Sequence, residues 1–537
     1  MTITRAAIAA VALTALSAAI GSVRAADPAM YAYIVLGQGT SGATVPMARV
    51  VIDAVSQPCP SLTAPGHTLV PMTPRTNPNF TNFPVTVCEA LYPTGHHFKV
   101  GSIDLPSVSL TATPERVVVL GDTGCRNDPE KQACDPKSWP FADLAATAVE
   151  AKPDLLVHVG DYNYRGTPGK ITLQGQPAPV RVYDAGDADD EDGVPRSPPE
   201  PYYSQNMAKS MQPDTWSPWQ KDFFDPAKAA LAAAPWIFVR GNHELCSRAG
   251  PGFLYFLDPG SVLLGSGATQ NACPDQDGQL PLFFGQPYQI TLGNLAFAVI
   301  DTANADDTGV SYPGEYNPQL ASVVKNMDPG TPAFVLTHRP FWGVIKGAKH
   351  PKTLEDTASV INNTLQSALS ATPRKAFPSN VALVVSGHMH RFQAMGFVGG
   401  RPPQLIVGTG GVGMSKTFPK QHHKDPFTFH VAGATATGVG LSEFGLLRID
   451  VGKSGAWTAK LLDLKGHTLA DCTSRQGLSE AGFVEGRNLV VEYRFAACHG
   501  SRPGWPSGGT DCRNRRQPGV IGGQGGDRYD SDCLHHR

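Results

Sequence analysis

Charge is what the sequence has least of: Asp, Glu, Lys and Arg make up 17% of its 537 residues, where about 25% is ordinary. A chain built mainly of long charged helices is thereby excluded. The 44 basic and 46 acidic residues leave a formal charge of -2, so no global field draws nucleic acid or an acidic membrane, and no nucleic-acid-binding surface is evident. Beyond the first 25 residues no apolar run approaches the roughly 18 residues that span a bilayer, so no membrane span is expected in the mature chain. There is no Gly-X-Y period, which excludes collagen, and no Cys-x-x-Cys pair, which removes the usual zinc spacing. Hydrophobic residues are not scarce: at 41% they are too many for a disordered chain.

Glycine and proline are abundant, 56 and 47 residues, the composition of a chain with many turns. At roughly 150 residues per domain, the length allows two to four compact units. Residues 1–25 combine a basic start at Arg5, the apolar stretch AAIAAVALTALSAAI and a small-residue exit at Val23-Arg24-Ala25. That is the pattern of a secretory signal peptide, the apolar stretch being short for a membrane anchor, and it predicts a secreted or periplasmic chain. Export permits disulfides. Six of the ten cysteines fall before residue 300 as three local pairs, and the neighbours 59/88, 125/134 and 246/273 are the expected bridges among many possible connectivities.

From 26 to 113, short apolar runs such as MYAYIVL, MARVVIDAV, FPVTVCEAL and HHFKVGSI alternate with Pro, Gly, Thr and Asn clusters. This predicts a small all-β N-terminal domain. From 114 to 466, continuous apolar runs alternate with alanine-rich stretches (FADLAATAVEA, PAKAALAAA, LASVVKNM), the pattern of an α/β domain with strands buried on both faces. An insertion from 165 to 217 is rich in Pro, Gly and Asp. Its acidic run DAGDADDEDG at 184–193 lacks the EF-hand ligand spacing and reads as a solvated loop. From 467 to 537 apolar periodicity fades, and a poorly ordered tail is expected.

Five apolar runs of the α/β region end, within one or two residues, in a potential metal ligand: VVVLGD at Asp122, LLVHVGD at Asp161, WIFVRGN at Asn242, FVLTH at His338 and ALVVSGH at His388. In open α/β sheets the carboxyl ends of strands project side chains into a shared crevice. Any one Gly-Asp or Gly-Asn here is an ordinary turn, and any one histidine is usually structural. Five strand exits in a row carrying only Asp, Asn or His are not expected from turn chemistry, and they point to a metal site. His390 lies two positions after His388, facing the same way in an extended segment, and Tyr164 lies three after Asp161.

The ordered set GDTG (121–124), GDYNY (160–164), GNHE (241–244), VLTH (335–338) and GHMH (387–390) resembles the five-block signature of purple acid phosphatases, within the calcineurin-like metallophosphoesterases. The resemblance implies a metallophosphoesterase four-layer αββα sandwich and a binuclear centre. Carried over by position, it implies that Asp122, Asp161, Tyr164 and His390 hold an iron(III). Asp161 would bridge to a divalent ion (Fe, Zn or Mn) held by Asn242, His338 and His388, and His243 would stand beside the leaving group. Commoner members of the superfamily carry Asp-x-His in the first block. Here Asp122-Thr123-Gly124 lacks that histidine, and Tyr164 supplies instead a phenolate, a hard anionic donor suited to iron(III).

The implied function is an exported acid phosphatase that hydrolyses small phosphomonoesters by attack of a metal-bound hydroxide, with two ions about 3.5–4 Å apart clamping the reacting oxygens. A phosphodiesterase on the same scaffold and a non-catalytic phosphate- or metal-binding protein are the alternatives. Arg126, Arg240, Arg339 and Arg391 each lie within four residues of a candidate ligand and could fork onto phosphate oxygens, although packing roles are commoner. His350, His422, His423 and His430 read as exposed polar residues. LIVGTGGVGMSK at 405–416 lacks the Gly-Lys-Ser/Thr ending of a P-loop and reads as a strand-exit turn. RQGLSEAGFVEGRNLVVEYRFA at 475–496 resembles a segment near the start of bacterial ABC-transporter substrate-binding proteins. The Gly-, Arg- and Cys-rich residues beyond it cannot build a core, as expected of a frame-shifted remnant of such a gene.

Overall fold

The computed structural model of the chain describes residues 29–53, 58–75, 82–126, 132–164, 172–173, 176–177, 214–246, 248–264, 273, 283–349, 356–397, 401–415, 427–431, 434–452 and 455–474. Residues 1–28, the acidic run at 184–193 and the chain after 474 lie outside them. Nine strands carry the centres of two large sheets: β1 (Ala29–Gln38), β2 (Thr44–Ile52), β3 (Arg116–Leu120), β4 (Leu155–His158), β5 (Trp236–Phe238), β6 (Leu295–Val299), β7 (Ala333–Leu336), β8 (Val381–Ser386) and β9 (Gln404–Val407).

In the ten-stranded sheet β3, β4, β5 and β1 lie side by side in parallel. Leu446–Val451, Trp457–Leu462 and Thr468–Thr473 continue it antiparallel beyond β3, and β2 and Thr86–Leu91 do so beyond β1. In the eight-stranded sheet β6, β7, β8 and β9 are parallel neighbours, with antiparallel strands on both flanks.

Successive side chains of a strand point to opposite faces, so each apolar run feeds two cores. Val117, Val119 and Val157 of the first sheet meet Phe297, Leu336 and Val385 of the second in one buried cluster between the sheets. Val118, Leu120 and Leu156 face the other way, under Phe141 and Leu144 of helix Phe141–Glu150 and Leu231 of helix Asp225–Leu231. Val335 and Val384 do the same on the far side, beneath helices Pro313–Asn326 and Asn363–Ala371. The layers are those of the expected αββα sandwich. The three alanine-rich stretches are the helices the sequence implies; Phe141, Leu144, Ala145 and Ala148 recur at helical spacing and are all buried.

The 26–113 segment is all β and divides in two. β1, β2 and Thr86–Leu91 extend the ten-stranded sheet, while Ser61–Thr63, Val70–Pro71, Phe98–Val100 and Ile103–Leu105 form a small sheet whose Leu62, Phe98 and Val100 enter the core between the large sheets. At the other end, Thr468–Thr473 lies past residue 466 and is a strand of the same ten. All the described residues belong to one compact unit. Among the described residues no helix is long and apolar enough to cross a membrane. The three nearest-neighbour bridges, Cys59–Cys88, Cys125–Cys134 and Cys246–Cys273, are all formed.

A buried ion network ties the N-terminal strands to the rest. Glu89 accepts from Arg49 Nε at 3.3 Å and Arg75 Nη1 at 3.1 Å, all three side chains being fully covered. The guanidiniums also reach the carbonyls of Phe256 (3.0 Å), Leu254 and Asp258 (both 3.1 Å), so the segment after the candidate ligand Asn242 is bolted to β2 and its neighbour. Burial works to raise the Glu89 carboxyl, but Arg49 and Arg75 hold it below the usual carboxylate range. A carboxyl depressed in the fold contributes stability that is present above its unfolded pKa and lost as pH falls through the folded one. Glu89→Ala leaves two buried cations unpaired and is expected to cost about 3–5 kcal/mol in denaturant unfolding. The variant's stability should also fall less steeply than the wild type's on acidification below the ordinary carboxylate range.

Candidate metal centre

The turns after β3, β4, β5, β7 and β8 meet at one edge of the sandwich and bring together all eight candidate residues. Four of them stand in the left-handed region: Asp122 (φ 58°), Asp161 (φ 61°), His388 (φ 75°) and His390 (φ 29°). For residues with a Cβ each such conformation costs about 1–3 kcal/mol and persists only where surroundings enforce it. Here backbone bonds between turns do so: Asp122 N–H donates to Gly160 O (2.9 Å), Thr123 N–H to Asp161 O (3.0 Å) and Gly387 N–H to His338 O (2.9 Å). The glycine before two of the ligands is a matter of space. A Cβ on Gly160 would lie 2.4 Å from His338 Nδ1, and one on Gly241 would lie 2.1 Å from Asp161 Oδ1.

Two groups of donor atoms share Asp161. Asp122, Asp161 and His390 form one, all buried, and Asp161, His338 and His388 the other. Tyr164 Oη completes the first, 3.2 Å from Asp122 Oδ1, 3.1 Å from Asp161 Oδ2 and 3.0 Å from His390 Nε2. Asn242 completes the second: its Oδ1 lies 2.7 Å from His338 Nε2 and 3.0 Å from His388 Nδ1, while Asp161 Oδ2 is 3.3 Å from His338 Nε2. His243 adds its backbone N–H to Asp161 Oδ1 (2.9 Å) and sets its ring against that of Tyr164, centroids 4.0 Å apart.

The electrostatics are those of a site built for cations. Burial pushes the Asp122 carboxyl well above the usual range; His338 pulls against this, and Asp161 adds to it. Burial would raise Asp161 as well, but His338 and His243 hold it well below. Burial opposes a charge on His338, yet Asp161 draws its pKa up to about 9. His338 is therefore drawn toward its charged form in the space a metal cation would fill. Burial, then Asp161 and Asp122, drive the Tyr164 phenol well above its ordinary value. A nearby multivalent cation reverses that preference.

Residues the sequence did not single out hold these ligands in place. Glu244 accepts four backbone N–H groups, from Asp161 (3.0 Å), Tyr162 (2.9 Å), Asn163 (3.3 Å) and Gly241 (3.0 Å). Asp307 accepts from Arg339 Nη1 (2.7 Å) and faces His388 Nε2 (2.8 Å), leaving Nδ1 of that ring to point at Asn242. Val159 O accepts from His338 Nδ1 (2.8 Å) and leaves Nε2 inward in the same way. His158 Nδ1 accepts from Gly160 N–H (3.2 Å) and Nε2 donates to Thr123 Oγ1 (2.9 Å), joining the first two turns from beneath. Only Glu244 had a sequence signal, its place inside the GNHE block.

Of the four arginines, Arg240 pairs with Asp301 (2.9 Å), Arg339 with Asp307, and Arg391 Nε donates to Met389 O (3.2 Å), so these three pack within the fold. Arg126 faces His390. The glycine-rich run after β9 backs the first turn, through Gly410 N–H to Gly121 O (2.9 Å) and Val412 N–H to Asp122 O (3.0 Å). Side chains of His350, His422, His423 and His430 lie outside the described residues.

The calcineurin-like phosphoesterase family model matches residues 115–392, just over half of the chain. The chain belongs to the calcineurin-like phosphoesterases. No curated protein matches it. Among solved structures it is similar to a purple acid phosphatase, PPD1, from yellow lupin (Lupinus luteus) seeds, at 13% identity, over 82% of this chain and 74% of that one, TM-score 0.47. It is similar to PhoD at 13% identity, over 88% and 93%, TM-score 0.43. It is also similar to GAP50, the anchor in the inner membrane complex of Plasmodium, at 14% identity, over 67% and 87%, TM-score 0.34. Membership of the family implies a binuclear metal centre and phosphoric ester hydrolysis, and the two donor groups that share Asp161 are of the kind such a centre needs.

Glu244→Ala strands four buried N–H groups, and unfolding of the metal-free protein should show a loss of at least about 3 kcal/mol. Metal-free protein isolates this effect from any change in metal binding.

Proposed function

We propose that the chain is an exported, binuclear metal-dependent phosphatase of the purple acid phosphatase type, acting on small phosphomonoesters. The observation that carries this reading is the phenol of Tyr164, whose Oη lies within 3.2 Å of Asp122, Asp161 and His390. In this reading Asp122, Asp161, Tyr164 and His390 hold an iron(III), and Asp161, Asn242, His338 and His388 a divalent iron, zinc or manganese ion. The donor set fits: two carboxylates and a phenolate are hard anions for the ferric ion, and two imidazoles and an amide oxygen suit a divalent one. When bound, the pair supplies Lewis acidity and an activated water.

The chain's own side chains supply the rest. Asp307 and Val159 O hold the protons of His388 and His338 on their outward nitrogens, so both rings offer lone pairs inward. The turns meet with their ligands already in strained, ligand-ready conformations, so little rearrangement accompanies binding. His243, half-buried and braced on the Tyr164 ring, would donate its ring N–H to the leaving oxygen. Three disulfides in a chain with a leader-like start support an oxidising compartment outside the cytoplasm.

The reading is tested by metal analysis, the visible spectrum, and turnover of a phosphomonoester beside a phosphodiester. The wild type should hold two ions, show a tyrosinate-to-iron absorption band and prefer the monoester. Tyr164→Phe should lose the band while keeping the divalent ion. His338→Ala should lose the divalent ion and at least about a thousandfold in kcat/KM. Colourless protein without iron, or full activity in His338→Ala, overturns the assignment.

A further inference from the structure

His158 is not among the candidate ligands, yet its ring spans the two turns on which both donor groups depend. Asp161 belongs to both groups and Asp122 to the first, so the spacing of the turns after β3 and β4 governs where two ions could sit. The imidazole is fully buried at the end of β4. Its Nδ1 stands 3.2 Å from Gly160 N and its Nε2 stands 2.9 Å from Thr123 Oγ1. A backbone N–H can only donate, so Nδ1 is the acceptor and the ring proton lies on Nε2, directed at the threonine hydroxyl. Burial holds the pKa of the ring well below the ordinary histidine value, and the ring stays neutral. One neutral ring thus joins the residue before Asp161 to the residue after Asp122.

The ring is itself held in place. It stacks on Tyr162, with centroids 3.9 Å apart and planes at 22°, and meets Phe223 nearly at right angles, with centroids 5.8 Å apart. Tyr162 in turn donates its hydroxyl to Val239 O (2.9 Å), on the segment that leads from β5 to Asn242, and its N–H to Glu244 Oε1 (2.9 Å). The backbone bonds from Asp122, Thr123 and Gly124 N–H all donate from the first turn to carbonyls of the second. His158 runs the other way, accepting from the second turn and donating to the first. We infer that His158 is a positioning residue for the reaction: its ring is a spacer of fixed width that sets how far apart the two turns hold the carboxylates of Asp122 and Asp161. The inference rests on the binuclear phosphatase reading. Two ions can clamp the attacking and leaving oxygens only at the right separation, and a small misplacement made away from the chemistry lowers turnover steeply.

His158→Asn and His158→Gln, made in the full-length protein, divide the two contacts. Asparagine Oδ1 falls near the place of Nδ1 and can accept from Gly160 N–H, but the side chain is too short for Thr123. Glutamine Nε2 falls near the place of the ring Nε2 and can donate to Thr123, but leaves Gly160 N–H without its acceptor. Each should lower kcat on a phosphomonoester at least about tenfold while KM changes less than about twofold. Each should also displace the tyrosinate-to-iron band, read on protein whose folding and metal content match the wild type. Thr123→Val removes the threonine bond from the other side at nearly constant shape and should show the same two changes. Combined with His158→Asn it should add no further loss in kcat, because that bond is already gone. A purely structural role lowers the unfolding temperature and leaves kcat and the band at their wild-type values. That result in the two His158 variants, or in Thr123→Val where those variants do not fold, overturns the inference. If the wild type takes up no metal, the binuclear reading itself has failed, and the inference falls with it.

Discussion

Two carboxylates, Asp122 and Asp161, are buried side by side between the ends of β3 and β4, and the arrangement of the site follows from what must be done about them. Burial favours their neutral forms and mutual repulsion disfavours two charges together. Within the protein the answer comes from His338, which Asp161 draws toward its charged form. The His338 proton is held up to a pKa of about 9. Tyr164, His338 and His390 face these two acids, and the strained turns that carry them are secured by bonds from one turn to the next. The fold therefore concentrates a demand for positive charge at one edge of the sandwich, where the ligand-bearing turns meet.

Much of this was legible in the chain. The apolar runs that end in Asp122, Asp161, His338 and His388 are strands buried on both faces, and continuous hydrophobicity is what that environment requires. The glycines before Asp161 and Asn242 mark turns too crowded for a Cβ, a signal that is local and survives in the sequence. The residues that support the ligands left no such trace. Glu244 acts on backbone N–H groups 81 to 83 residues away as well as on Gly241, and Asp307 acts on His388 across 81 residues. Nothing about their neighbours in sequence announces those partners. The place of β1 was hidden for the same reason: it joins the ten-stranded sheet through Val35 opposite Trp236, whereas local patterning marks only its antiparallel partner β2.

The layer behind the ligands is where rigidity comes from. A carboxylate that collects four N–H groups, a histidine that accepts from one turn and donates to another, and two disulfides placed at Cys125 and Cys246, each within four residues of a ligand, all act on backbone. They leave few ways for the ligand turns to relax, so the donor atoms converge even where they touch one another. Two guanidiniums also reach ligand rings, Arg126 Nη2 at His390 Nδ1 (3.3 Å) and Arg339 Nη1 at His388 Nε2 (3.1 Å).

Thr468–Thr473, the last described strand, shares a sheet with β1 near the beginning of the chain. During synthesis, that sheet cannot be completed until almost all of the described chain has left the ribosome. β3, which bears Asp122, pairs on one side with β4 early but on the other with Leu446–Val451, made some three hundred residues later. Pairings of such long range form slowly. A half-made chain thus exposes the flank of its ligand-bearing strand, and the centre matures only as a late product of translation.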